Sequence, residues 1–79
     1  MEKPVLDEAK RLKFFCRLSE DNYWQILPIQ SQETWKLTEA DSQWILSLSN
    51  VPQLNLNQSE AIAFLISRAN LVDDSILIN

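Results

Sequence analysis

Glycine and histidine are both absent from the 79 residues of this chain, and cysteine occurs once. Ordinary chains carry about 7% glycine. Without any, no P-loop, dinucleotide-binding fingerprint or nucleophile elbow can be built. Asn-Gly and Asp-Gly hairpins are excluded as well, so turns fall to Asn, Asp, Ser and Pro, which tolerate or preset the dihedrals required. The lack of histidine removes the commonest general acid/base and the commonest nitrogen ligand for metals, and with it any Ser-His or Cys-His nucleophile. A lone Cys16 can neither form a disulfide within the chain nor assemble a zinc site. Single-cysteine usage is that of a reducing compartment. No apolar run approaches the roughly 20 residues that span a bilayer, and the first residues lack the apolar core of a signal peptide. The expectation is a cytoplasmic protein that does not insert into a membrane.

Chemistry of other kinds is also thinly represented. Asp7-Glu8, Glu20-Asp21 and Asp73-Asp74 are carboxylate pairs, but adjacent residues of a strand point to opposite faces, and in loops such pairs are simply solvated. Cys16 alternates with Phe14 and Leu18 and reads as a small apolar residue. A chain this short leaves little room for a substrate pocket. No catalytic residue, metal ligand, cofactor or small-molecule substrate is expected.

What is present is alternation. From Trp35 to Leu56 apolar and polar residues alternate with a period of two: Trp35, Leu37; Trp44, Leu46, Leu48; Leu54, Leu56. A period of two is the side-chain period of a strand with one buried face. Strands are expected at about 12–18, 23–29, 33–38, 43–49 and 53–56. The competing reading of the first segment is a helix from Asp7 to Leu18, since Leu-Asp-Glu-Ala-Lys-Arg-Leu is rich in helix formers. Pro28 must lie at a strand end or edge, because it lacks an N–H for the ladder. From Asn57 the period changes. Asn57 can cap a helix, Glu60 stands three residues on as in a capping box, and Ala61, Ile62, Leu65, Ile66 and Ala69 fall on one arc.

These elements predict a single α+β domain over 1–79. Residues 1–10 are an N-terminal arm or short helix, and 12–56 form an antiparallel β-meander of four or five strands. A C-terminal helix over 57–70 packs across one face, and 71–79 are an apolar tail. The inner face is expected to hold Phe14, Cys16, Leu18, Trp24, Ile26, Trp35, Leu37, Trp44, Leu46, Leu48, Leu54 and Leu56.

Several large apolar residues fall on the wrong side of this pattern. Phe15, Leu27, Ile29 and Ile45 lie on the opposite sheet face, and Phe64 and Leu71 lie off the helix stripe. Either the chain's own ends cover them, or they form a second apolar surface for another chain. The net charge is −4, yet Lys10, Arg11, Lys13 and Arg17 sit together with no acid among them. The function expected is therefore a small non-catalytic protein–protein interaction domain: an adaptor, assembly factor or accessory subunit. Its contacts would be Lys13, Phe15, Arg17, Tyr23, Leu27, Ile45 and Phe64, with the tail, and its partner another protein or a second copy. The alternative is a nucleic-acid-binding module in which Lys10, Arg11, Lys13 and Arg17 hold phosphates while Phe15 and Tyr23 stack bases. The chain's net acidity weighs against it.

Overall fold

Pro4 presets the backbone dihedral of a first helical turn and has no N–H to leave unpaired there. In the computed structural model, which describes residues 3–30 and 32–78 (70–78 as backbone alone), it opens helix α1, Pro4–Arg11. Helix α1 buries Val5, Leu6 and Ala9 and places Lys10 and Arg11 at its C-terminal, electronegative end. Of the arm or short helix expected over 1–10, the structure has the helix, and the competing helix from Asp7 to Leu18 stops at Arg11.

The helix ends in a Schellman motif. Phe14 N–H donates to Ala9 C=O at 2.9 Å, Lys13 N–H donates to Lys10 C=O at 3.1 Å, and Lys13 takes a left-handed φ of 74°. Glycine is the usual residue at that position; this chain has none and uses lysine. The motif also corrects the first strand. It begins at Phe15 rather than Leu12, because residues 12–14 close the helix.

Five strands follow: β1 Phe15–Leu18, β2 Trp24–Leu27, β3 Trp35–Ala40, β4 Gln43–Leu48 and β5 Val51–Leu56. They form one antiparallel sheet in the order β1-β2-β3-β4-β5, the meander expected. Strand β2 stops before Pro28, and β3 runs two residues past its expected end, to Ala40. Strand β5 starts at Val51, earlier than expected, because Ser49 and Asn50 alone make the preceding turn. Both have positive φ (50° and 68°), as the two central residues of a tight hairpin require. Asn22 and Asp41 serve the β1–β2 and β3–β4 hairpins at φ 66° and 55°. Pro52 lies in edge strand β5, beside a register shift at Leu46/Ser47.

Helix α2 spans Gln58–Ile78. The capping box is formed as read: Glu60 N–H donates to Asn57 Oδ1 at 2.8 Å, and Asn57 N–H to Glu60 Oε1 at 2.9 Å. The segment 71–78 is a continuation of this helix, not a separate tail; nothing between Asn70 and Ile78 is Gly or Pro, so nothing stops it. Residue 79 lies outside the described residues. Among them, no helix is long and apolar enough to cross a membrane.

Both helices pack on the same face. Val5, Leu6 and Ala9 of α1, Ala61 and Leu65 of α2, and Phe14, Ile26, Trp35, Leu37, Trp44, Leu46 and Leu56 make one buried cluster. Three residues expected inside are instead exposed: Leu18, Leu48 and Leu54. Leu48 pairs with Trp35 and Leu54 with Leu46, so they do lie on the inner face; the helices simply do not reach them. Replacing Lys13 by glycine relieves a left-handed dihedral that a Cβ disfavours. Lys13→Gly is expected to stabilise the fold by about 1 kcal/mol in urea unfolding with unchanged slope. A loss of stability would contradict the Schellman assignment.

Candidate functional site

With both helices on the inner face, the outer face of the sheet is open. Strand register lays out its residues. One row runs Arg17–Gln25–Thr38–Ile45–Asn55 across all five strands. The neighbouring row has Phe15 opposite Leu27 on β1 and β2, and Lys36 opposite Ser47 opposite Pro52 on β3 to β5. The face is therefore mostly polar over β3–β5, where Ile45 and Pro52 are the apolar residues of these rows, and carries the apolar pair Phe15 and Leu27 at the β1–β2 corner.

This layout sorts the seven residues singled out from the sequence. Phe15, Arg17 and Leu27 come together. Phe15 is 60% exposed and faces half-buried Leu27 across the ladder. The Arg17 guanidinium donates from Nε to Gln25 Oε1 at 2.8 Å, across the ladder to β2. Tyr23 is exposed at the hairpin end of the same corner, its backbone N–H donating to Ser19 Oγ at 3.1 Å. Lys13 is exposed at the entry to β1. Ile45 is half-buried between Thr38 and Asn55, separated from Leu27 by strand β3.

Phe64 does not belong to this face. Its ring packs edge-on against Trp35 on the inner side, with centroids 5.0 Å apart, and the Arg68 guanidinium lies over it at 5.6 Å. The apolar stripe of α2 is wider than one-sided packing needs, because the helix touches α1 along one flank and the sheet along the other.

The charges of the basic cluster have different surroundings. Arg11 is held by Glu8 one turn back, with Nε to Oε1 at 3.1 Å, and the hydrogen bonds from Arg11 hold the Glu8 carboxyl below the usual range. Lys10 lies over the Trp24 ring, 5.5 Å from its centroid. Lys13 and Arg17 have no carboxylate partner among the described residues. Lys3 pairs with Glu39, whose other oxygen accepts the Trp24 N–H at 3.3 Å. That pair borders a cleft of about 190 Å³ lined also by Val5, Asp41, Ser42 and Trp44. Glu39 thus holds α1 and β2 to β3. Among the described residues no three metal-ligating side chains converge.

Sequence reasoning missed one surface. Leu48, Val51 and Leu54 form an exposed apolar strip on the inner face beside β5. Alternation marks such residues as core, and only the lateral position of α2 decides whether a core face is covered. Cys16, on the inner face of β1, is half-buried, and burial pushes its thiol up from the ordinary value despite the opposing charge of Lys10. No family model, curated protein or solved structure matches the chain.

Two predictions separate interior from surface. Phe64→Ala is expected to lower stability by about 2–4 kcal/mol and Phe15→Ala to change it by less than about 0.5 kcal/mol, both read from denaturant midpoints. Equal losses would mean that Phe15 is packed like a core residue. The thiolate of Cys16 is the alkylating form, so reaction with iodoacetamide in the native chain should rise at higher pH than in the urea-unfolded chain. A coincident pair of profiles would show a freely solvated thiol. The sign for stability follows: a raised folded value favours the native state below the unfolded pKa, and that contribution fades as pH climbs through the folded one.

Proposed function

We propose that this chain is a small, non-catalytic protein–protein interaction domain, an adaptor, assembly factor or accessory subunit, that receives its partner on the outer sheet face. The observation that carries the reading is the segregation of both helices to one side, which leaves Phe15 exposed and Leu27 half-buried beside Arg17. Exposed apolar side chains gathered at one corner and rimmed by cations are features of interaction surfaces. Helix α2, continuing to Ile78, is the second contact region in this reading. The same reading assigns a reducing, cytoplasmic setting, supported by the single unpaired Cys16. It includes no cofactor and no small-molecule substrate.

Exposed Phe15 and Tyr23 beside Arg17 also suit base stacking. The local charge favours protein over nucleic acid: Arg11 is engaged by Glu8, and Glu20 and Asp21 follow directly on β1. A nucleic-acid module would bind in strict proportion to its free cations and lose affinity steeply with salt.

The test compares the wild-type chain with Phe15→Ser/Leu27→Ser as immobilised baits in native lysate, after circular dichroism has verified both folds. The expected result is a protein retained by the wild type, in nuclease-treated lysate, and lost by the double variant. Identical retention by the two baits, or retention abolished by nuclease, would overturn the reading. Sedimentation from micromolar to millimolar concentration identifies a second copy as the partner if the wild type dimerises and the variant does not.

A further inference from the structure

The sheet has two edges, and they differ. Strand β5 carries Pro52, which has no N–H, beside a register shift, and it has no charged residue. Proline and bulges are the devices that blunt an edge. Strand β1 has neither. It pairs with β2 in unbroken register, Phe15 to Leu27 through Leu18 to Trp24.

The direction of its free backbone groups follows from one bond. Ser19 N–H donates to Tyr23 C=O at 2.8 Å, which makes the pair beyond Leu18/Trp24 a hydrogen-bonded one. Hydrogen-bonded and open pairs alternate in antiparallel ladders. Arg17/Gln25 and Phe15/Leu27 are then bonded pairs, and the N–H and C=O of Cys16 and Leu18 point away from β2. Those two sets of groups stand about 7 Å apart along the edge, the repeat that an added strand matches.

Both faces of this edge offer the same two chemistries. On the outer side Phe15 is exposed next to Arg17. On the inner side Leu18 is exposed next to its ladder partner Trp24, over which Lys10 lies. Lys13 stands at the start of the strand. An incoming strand sends alternate side chains to the two sides and meets an apolar surface and a cation on each. A second copy fits poorly. Pairing β1 with β1 in antiparallel fashion brings the Lys13–Arg17 segments of both chains together, and like charges across a ladder repel. Strand β5 of a second copy supplies no carboxylate.

From this geometry, and resting on the interaction reading above, we propose that β1 is a strand-addition site for an extended acidic segment of another protein, with carboxylates alternating with apolar residues. Main-chain hydrogen bonds to Cys16 and Leu18 hold the segment, and Lys10, Lys13 and Arg17 select its charge. Glu20 and Asp21 at the hairpin turn repel carboxylates from that end, so the acidic residues lie opposite Lys13 to Arg17.

The probe is a dye-labelled peptide of about ten residues alternating Glu and Val, with an alternating Lys and Val peptide as control. Anisotropy is recorded with the full chain, and backbone amide exchange is followed by NMR. The expected result is binding of the Glu-Val peptide alone, weakened about tenfold or more by Arg17→Glu, less by Arg17→Gln, and by salt. At saturation the Cys16 and Leu18 amides exchange more slowly, and those of β5 do not. No binding at millimolar peptide, equal binding of the Lys-Val peptide, or slowing confined to β5 would each overturn the proposal. A partner lost by Phe15→Ser/Leu27→Ser while Cys16 and Leu18 still exchange freely would sink strand addition and leave the interaction reading standing.

Discussion

The packing of Trp35 between two phenylalanines organises this molecule. Its indole is buried in β3, with Phe14 edge-on at 5.5 Å and Phe64 edge-on at 5.0 Å. Phe14 is the residue that closes α1, and Phe64 is carried by α2. One side chain therefore ties both helices to one face of the sheet. The indole N–H donates to Glu33 Oε1 at 3.3 Å, and that carboxyl oxygen lies 3.9 Å from Arg68 Nε, whose guanidinium covers Phe64. Aromatic pairs of this geometry contribute about 0.5–1.5 kcal/mol beyond their buried area, and the polar chain around them keeps the indole N–H paired. The open outer face follows, since two helices drawn to Trp35 leave no described helix to lie on the other side.

The absence of glycine shapes the periphery in the same way that Trp35 shapes the core. Among the described residues five adopt positive φ, Lys13, Asn22, Asp41, Ser49 and Asn50. Four of them are the small polar residues that tolerate this conformation best. Lys13 is the exception, and it occupies the end of α1 where the chain turns into β1. A flexible, charged residue at that corner keeps a cation at the start of an edge strand, a position that glycine would leave neutral. Backbone geometry and surface charge are thereby coupled at one residue.

The two sheet edges carry opposite treatments. Pro52 and its register shift blunt β5, while β1 is regular and flanked by cations. Charge on an edge discourages pairing between identical chains and leaves pairing with an oppositely charged segment available. The exposed strip of Leu48, Val51 and Leu54 lies beside the blunted edge, so apolar surface and open backbone do not coincide there.

Local pattern carried most of the architecture. The alternation of Trp35–Leu56 specified strands and their faces, and Asn57 with Glu60 specified where α2 begins, because both depend only on neighbours along the chain. The same local reasoning put Phe15, Leu27 and Ile45 outside. It could not decide the helix boundaries at Lys13 and Ile78, which rest on a lysine accepting a left-handed dihedral and on the absence of any breaker after Asn70. Coverage was decided by tertiary structure alone. Leu48 and Leu54 have the periodicity of core residues and lie in solvent; Phe64 lies off its helix stripe and packs on Trp35. Periodicity reports which side of an element is apolar. Whether another element lies over that side depends on where two helices dock against each other, and that is settled by contacts between residues distant in sequence.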